Sequence, residues 1–455
     1  MAELLTQLHQ LLDDKGLLQG EALRDHPACV YLLPKALLRP NSTEQLAAVL
    51  KLCHQHRQPI VTRGGGTGLV AGTVMSEQEM LLSLERMNHI EELDARSRTL
   101  VVQAGVPLQA IQQAAAEQNL FCPLDLGARG SCTIGGNLAT NAGGNRVVRY
   151  GMAREMVLGL EAVLADGTII DSMKSVIKNN TGYDLKHWFI GSEGTLGVIT
   201  RAVLRLHPAP ISQNTALVAV ENFDQLIDLL AKADALLGGG MSSFEVMWQD
   251  YYRHVCRDGE RHRQPISADY PYYVIIESMG ADQQADAERF NRTLESLFEQ
   301  GLIVDAVLAQ SNREAEAIWA IRDDVEALMD LFPYYVYDIS VPLKHMEAYV
   351  AAVKLRLQQK YPDNHRYITF GHLGDGNLHF VIQVDDNYES GHQAVNDIVY
   401  LELASRDGVI SAEHGIGMEK KSYLSVSRSP AEIALMKTIK QALDPHSLLN
   451  PGKIF

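Results

Sequence analysis

Between Pro123 and Gly144 the chain reads PLDLGARGSCTIGGNLATNAGG, with glycine at 127, 130, 135, 136, 143 and 144. A segment of this kind cannot pack a hydrophobic core. Interleaved with the glycines are short polar side chains, Ser131, Thr133, Asn137, Thr140 and Asn141. Backbone and small hydroxyl or amide groups at this density suit an extended wall laid against a large, flat, polar ligand.

Two further glycine stretches narrow what that ligand is. RGGGTGL, residues 63–69, follows the strand-like PIVT. Gly66, Gly68 and Ala71 satisfy a GxGxxA dinucleotide pattern, but that pattern needs a helix starting inside it, and LVAGTVMS reads as turn or strand. A phosphate loop of the Walker type fails as well, because no Lys-Ser or Lys-Thr follows the glycines. What survives is a concave nest of backbone N–H groups for a diphosphate, although this motif alone fits a tight glycine turn as well. FIGSEGTLGVIT, residues 189–200, adds glycine beside an apolar strand.

GHLGDGNLHF, residues 371–380, places two histidines around Asp375-Gly376. On a straight strand His372 and His379 would point to opposite sides. If Asp375-Gly376 is a two-residue hairpin loop, 374 faces 377, 373 faces 378 and His372 faces His379. Their Cβ atoms would then lie about 5 Å apart, within reach of one metal ion. A further acid–histidine pair, Glu413-His414, sits in ISAEHGIG between glycines that hold the chain in a tight path. Two imidazoles and a carboxylate make a three-ligand site with open positions, as a catalytic zinc requires; Mn²⁺ or Fe²⁺ is served equally well.

A chain of 455 residues implies two or three domains. A net charge of −16 argues against nucleic acid or an anionic membrane as the main partner. Five scattered cysteines without a CxxC indicate neither a disulfide framework nor a thiolate metal site, and favour a reducing, cytoplasmic setting. MAELLTQLHQLLDDKG reads as a short amphipathic helix, not a targeting segment, and no apolar run approaches the roughly 20 residues of a membrane span. Helices are expected at Ser42–His56, Pro107–Gln118 and Pro430–Leu443, and near Asn396–Ser405. HPAP at 207–210 breaks the first α+β region. Beyond it a strand-then-helix unit occurs twice, TALVAVE with FDQLIDLLAKADALL and YYVIIES with DQQADAERFNRTLESLFEQG, which suggests an open sheet with helices on one face. Three regions are expected: 1–207, 208–405, and 406–455, the last returning to another domain.

RGGGTGL, PLDLGARGSCTIGGNLATNAGG, GSEGTLGVIT, GHLGDGNLHF, SAEHGIG and LNPGK occur in this order. Together they resemble the FAD-linked dehydrogenases of the vanillyl-alcohol oxidase type, with D-2-hydroxyglutarate and D-lactate dehydrogenases the nearest in look. The resemblance spans nearly the whole chain. It implies an α+β fold: a two-subdomain FAD-binding domain, a substrate domain with an antiparallel sheet and helices, and a C-terminal segment returning to the flavin. It also implies that Arg63, Gly64, Gly65, Gly66, Thr67 and Gly68 cradle the FAD diphosphate. Pro123, Asp125, Ser131, Gly135, Asn137, Thr140 and Asn141 would line the rest of FAD, with Gly197 and Ile199 behind and Asn450 reaching back from the C-terminus. Covalent members carry a histidine within the glycine loop; residues 63–69 have none, so non-covalent FAD is expected.

The same resemblance implies His372, His379 and Glu413 as metal ligands, His414 as general base and Arg322 as the cation for the substrate carboxylate. The lesser alternative for Arg322 is an exposed helix arginine paired with a neighbour such as Asp323 or Glu326. The implied reaction is oxidation of a D-2-hydroxy acid to a 2-oxo acid, with hydride passing to the flavin. Where D-2-hydroxyglutarate enzymes carry a small hydroxyl residue, a lysine and an asparagine, this chain has Glu326, Val336 and Val381. Without the lysine, and with Glu326 repelling a distal carboxylate, a substrate with an uncharged side chain is expected, D-lactate-like or longer. Tyr334, Tyr335 and Tyr337 fit either pocket walls or ordinary packing. D-2-hydroxyglutarate itself, a flavin oxidase using oxygen, and a non-catalytic flavin- or zinc-binding subunit are the competing readings. With no iron–sulfur cysteine pattern, electrons would leave to a separate acceptor, such as an electron-transfer flavoprotein or a quinone-linked partner; homodimerisation stays open.

Overall fold

The computed structural model describes residues 2–29, 34–259 and 261–455. The chain forms two compact units: Met1–Gly143, Met152–Ala209 and Glu413–Phe455 make one, Gly144–Gly151 and Pro210–Ala412 the other. Among the described residues no helix is long and apolar enough to cross a membrane.

Among the described residues the first unit holds two main sheets and a two-stranded pair, Leu120–Phe121 with His207–Pro208. In the smaller, the strands Ile60–Arg63 and Leu37–Leu38 both pair parallel to Met80–Ser83. The larger is antiparallel, in the order Ile90–Asp94, Thr99–Gln103, Val198–Arg205, Val157–Val163 and Ile169–Ser172. The helix Thr43–Gln55 begins where Ser42 Oγ accepts from Gln45 N, and it buries Leu46, Val49, Leu50 and Cys53 at helical spacing. LVAGTVMS forms turns and loop, with no helix entering from the glycine motif, as expected. The stretch 123–144 departs from the expected extended wall, because Ile134–Thr140 is a helix. Gly135 N donates to Ala104 O at 2.8 Å, and a Cβ on Gly135 would lie 2.6 Å from Ala104 Cβ. The glycines here let a helix approach a neighbouring backbone closely.

The tail also belongs to this unit. Pro430–Leu443 is a helix with a capping box formed by Ser429 and Glu432. Lys440 Nζ, buried near its end, donates to Asp444 Oδ2, Thr195 O and Leu449 O at 2.5, 2.8 and 2.9 Å. These bonds turn the chain so that Leu449 bridges Ile60 and Asn450 N donates to Ile60 O at 2.8 Å.

The second unit is built on a seven-stranded antiparallel sheet in the order Asp305–Leu308, Ser212–Val220, Tyr272–Gly280, Met241–Trp248, His365–His372, Asn377–Val384 and Tyr335–Ser340. The repeated strand–helix units are present, with helices at Phe223–Leu237 and Gln283–Glu299. Helices on one face only is an expectation the structure corrects. Phe223 packs on Trp248 and Tyr272, ring centroids 6.4 and 5.9 Å apart. The opposite face, through Leu217, Met247 and Ile275, packs on Tyr251, Ile318 and Ile321 from Gln249–Val255 and Asn312–Asp323. Every residue of Met241–Trp248 is buried, which requires cover on both sides.

The histidine hairpin also differs in register. Leu373–Asp375 is a 3₁₀ turn closed by Gly376 at φ 81°, so the connection is longer than two residues. His379 opposes Phe370, and Val381 opposes Ile368, where His372 and Phe370 were expected. The slip is of two residues, and since side chains alternate with period two, the histidines keep a common face.

All five cysteines are buried, and burial pushes the thiols of Cys53 and Cys122 up to about 12. The native protein is therefore expected to leave all five unlabelled by an aromatic disulfide reagent at pH 8, and the urea-unfolded chain to react at all five. Rapid labelling of the native protein would contradict this packing. The sign of the linkage follows: the stability from these two raised thiols is complete below the unfolded value of 9.0 and is lost as pH rises toward about 12.

Candidate active site

In the first unit the strand Ile60–Arg63 delivers the glycine loop against the second glycine stretch. A Cβ on Gly64 would lie 2.8 Å from Thr133 Oγ1, and one on Gly65 only 2.0 Å from Ser131 O. Gly66 takes φ 72° and the Arg63 guanidinium folds over it. Gly64, Gly65, Ser131, Thr133 and Gly136 thus form one backbone-to-backbone layer, while Gly68 faces open space. Buried Thr62 Oγ1, Thr133 Oγ1 and Asn137 Oδ1 meet no hydrogen-bond partner. Buried oxygens seldom stay unpaired, so a ligand's polar groups fit here. The residues present suit a flavin dinucleotide: backbone amides for its diphosphate and short amide and hydroxyl groups along its rings.

The other expected cofactor residues take several roles. Asp125 is buried and pairs with Arg129 at 3.1 Å. Thr140 Oγ1 bonds back to Gly136 O at 3.2 Å, and Asn141 caps the same helix at φ 52° while its Oδ1 accepts from Arg154 N. Pro123 is buried and Ser131 exposed. Gly197 packs under the Phe189 ring, and Ile199 lies buried in the five-stranded sheet. Asn450 accepts from Thr62 N at 2.7 Å and donates to Glu193 O at 2.6 Å, so the tail does reach the strand that carries the glycine loop.

In the second unit a face of the sheet gathers ionisable groups. The rings of His372 and His379 stand 5.3 Å apart at 85°, and ring nitrogens of the two come within 4.8 Å. Glu245, directly opposite His372, holds its Nδ1 at 2.7 Å. Asp338, directly opposite His379, lies 3.9 Å from that Nδ1. The His372 imidazole is thus backed on Nδ1 by a buried carboxylate, which leaves Nε2 as the ligand atom, the usual support behind a metal-bound histidine, while Asp338 Oδ1 stands beside His379 Nδ1 beyond hydrogen-bond distance. This donor set fits a divalent metal. Arg322 is buried, not exposed, and its partner is Glu245, with Nε and Nη2 at 3.1 and 3.0 Å from Oε2. Burial opposes its charge most strongly, but Glu245, Tyr251 and Asp323 together outweigh this and raise the guanidinium's pKa. The guanidinium also lies 4.7 Å over the Phe370 ring.

The next row on this face is apolar: Ile368, Val381 and Val336 are paired side by side. Val381 is buried and Val336 is 42% exposed. Glu326 points to solvent, with 86% of its side chain exposed and Arg261 3.5 Å away. Tyr335 and Tyr337 alternate to the other face, where their hydroxyls bond Tyr388 O and Asn396 Oδ1; both are packing residues.

Asn377 shapes the turn and also donates to Asp338 Oδ1 at 2.8 Å. The other Asp338 oxygen accepts from Ala412 N at 3.2 Å and Ser411 Oγ at 3.4 Å. Glu413 and His414 come next along the chain and open the last segment of the first unit. There the Glu413 carboxylate lies over Gly143, where a Cβ would meet Oε1 at 2.4 Å. Sequence reasoning missed Glu245, Asp338 and Glu193. The first had a signal, a lone acid inside the otherwise uncharged strand MSSFEVMW.

Residues 34–172 match the family described as FAD binding domain, and 209–454 the one described as FAD linked oxidases, C-terminal domain. A D-2-hydroxyglutarate dehydrogenase of Xanthomonas citri pv. viticola is 42% identical over 427 residues, covering 93% of this chain and 89% of that protein. The mitochondrial D-2-hydroxyglutarate dehydrogenase of Bos taurus is 40% identical over 424 residues, 92% of this chain and 76% of that protein. The fold is similar to that of p-cresol methylhydroxylase with substrate bound (TM-score 0.80, 17% identity, 100% of this chain and 96% of that one). It is also similar to 4-ethylphenol oxidase from Gulosibacter chungangensis (TM-score 0.74, 18% identity, 100% and 96%). Both likenesses speak for the fold alone, the vanillyl-alcohol oxidase type.

Proposed function

This chain belongs to the FAD-linked D-2-hydroxyacid dehydrogenases, oxidoreductases acting on a CH–OH group, and from that membership we propose that its substrate is a D-2-hydroxy acid with an uncharged side chain. The observation that carries the substrate reading is the apolar row Ile368–Val381–Val336 beside His379. A distal carboxylate laid there would be desolvated against hydrocarbon, at a cost of several kcal/mol by the order of magnitude for an unpaired buried charge, ~3–5 kcal/mol. Glu326 adds little to this exclusion, since an exposed charge is screened. The apolar row supports the reading by itself.

His372 and His379, with Glu413 as the proposed third ligand, would hold a divalent metal, Zn²⁺ by preference and Mn²⁺ or Fe²⁺ by the same donor set. Supporting this are the Glu245 carboxylate behind His372 and the anchoring of Ser411 and Ala412, just before Glu413, on Asp338. A bound metal would supply Lewis acidity toward the substrate hydroxyl, and non-covalent FAD, held by the glycine loop 63–68, would supply the hydride acceptor. His414 takes the hydroxyl proton. Arg322 binds the substrate carboxylate through its Nη1 edge while Glu245 fixes the guanidinium plane. The product is the 2-oxo acid, and electrons pass to a separate acceptor, an electron-transfer flavoprotein or a quinone-linked partner, in the cytoplasm.

The names of the relatives favour a second reading, D-2-hydroxyglutarate. Anaerobic titration of the metal-replete protein with D and L forms of lactate, 2-hydroxyglutarate and a longer aliphatic 2-hydroxy acid separates the two. Bleaching of the flavin band by D forms only is expected, with an uncharged D acid at least about tenfold more efficient than D-2-hydroxyglutarate. The reverse order would establish the second reading. Reoxidation of the reduced flavin by air on the turnover timescale would instead favour an oxidase.

A further inference from the structure

Within GSEG, Glu193 has φ 52°, between Gly191 at 79° and Gly194 at 71°. A non-glycine residue is uncommon in this left-handed region and invites a functional explanation. Its carboxylate supplies one. Oε1 accepts from Ile416 N and Oε2 from Gly417 N, each at 2.7 Å. Both amides belong to the EHGIG segment, immediately beyond His414 and Gly415. Gly415, at φ 88°, lies so close that a Cβ there would be 2.9 Å from Glu193 Oε1. From the other side Val70 O, just past the cofactor loop, accepts from Met418 N at 3.0 Å.

Glu193 is itself held from two directions. Its N–H donates to Ala139 O at 2.8 Å, and its carbonyl accepts from Asn450 Nδ2 at 2.6 Å. Asn450 Oδ1 in turn accepts from Thr62 N at 2.7 Å. One polar chain therefore runs from the strand that carries RGGGTG, through Asn450 and Glu193, to the backbone of the segment bearing Glu413 and His414. We infer that Glu193 is the positioning residue for His414 and Glu413, fixing them relative to the cofactor loop; the inference rests on the functional reading above for what those two side chains do. Two adjacent N–H donors call for two acceptor oxygens, so a carboxylate serves where an amide would turn an NH₂ group toward one of them. Burial raises the Glu193 carboxyl pKa, the two amides and Lys420 working against it, so this carboxylate is kept buried for its geometry and not for its own stability.

Glu193→Gln is the test, in the FAD- and metal-loaded protein, with two independent measurements. Hydrogen exchange at the amides of 415–418 should accelerate about tenfold or more, as expected when a charge-assisted bond is replaced by a donor–donor contact. The rate of anaerobic flavin reduction by the best D-2-hydroxy acid should fall about ten- to a hundredfold, with KM changed less than about threefold and flavin content retained. Glu193→Asp, which keeps two acceptor oxygens, should recover part of that rate. Unchanged exchange overturns the grip, and accelerated exchange with an unchanged reduction rate overturns the positioning role. Equal loss in the Gln and Asp variants together with loss of flavin would mark Glu193 as merely structural. A wild-type protein that no D-2-hydroxy acid reduces would overturn the functional reading, while the exchange measurement still decides the grip.

Discussion

Glu245→Ala is expected to lower stability by about 3–5 kcal/mol, the range for stripping one partner from a buried ion pair, and to weaken metal retention about 10- to 100-fold. The carboxylate is almost fully buried and holds two donors at once. Oε2 takes the Arg322 guanidinium at 3.0 Å and Oε1 the His372 Nδ1 at 2.7 Å. Removing it strands a guanidinium among Tyr251, Phe370 and their apolar neighbours, and it frees His372 to rotate. Urea unfolding reads the first consequence, and metal analysis after gel filtration reads the second. Arg322→Met in the Glu245→Ala background removes the stranded charge and should restore about half or more of the lost stability, because an apolar replacement of a buried pair is often close to neutral. Metal retention should stay low in the double variant, since His372 still lacks its support. A stability loss below about 1 kcal/mol for Glu245→Ala would place Arg322 in water, contrary to its burial.

Glu245 also marks where reading the sequence stops. Motifs that are contiguous in the chain and dictated by backbone sterics were legible: the glycine loop before a missing helix, the helices beginning near Ser42 and Pro430, and the strand and helix within each repeated unit. Each depends on residues within one or two turns of each other. The convergence of His372 and His379 was legible for the same reason, though its register was not. Asp-Gly suggested a two-residue loop, whereas the backbone closes a 3₁₀ turn over Leu373–Asp375 and slides the pairing by two. Period-two alternation rescued the conclusion; a slip of one would have reversed it.

The supports behind the histidines were not legible, because they come from strands far off in sequence. Glu245 is 127 residues from His372, and Asp338 meets His379 only through sheet order. Nothing local distinguishes Glu245 from an exposed acid except its apolar neighbours. Arg322 illustrates the converse. Its helix also carries exposed charges, and only the sheet beneath it decides that this residue turns inward to Glu245. The helix at Ile134–Thr140 was hidden by composition, since adjacent glycines are poor helix formers and tertiary contact with Ala104 overrides their propensity.

Gly143→Ala is expected to reduce catalysis by about a hundredfold or more while leaving the flavin in place, because a shift near 1 Å at a catalytic group costs about that much. The new methyl would sit 2.4 Å from Glu413 Oε1 and 3.1 Å from Cδ, closer than carbon and oxygen can approach. Gly143 has no unusual φ, so alanine is compatible with the backbone, and the flexible end of Glu413 is what must give way. The damage then falls on the proposed third metal ligand and not on the fold. Thermal stability and the visible flavin spectrum should be close to those of the parent protein, and metal content after gel filtration should drop. Combining Gly143→Ala with Glu413→Asp withdraws the carboxylate by one methylene, and that double variant should regain part of the lost metal. If Gly143→Ala keeps full metal and full rate, Glu413 is not a ligand, and the carboxylate over Gly143 is a packing contact alone.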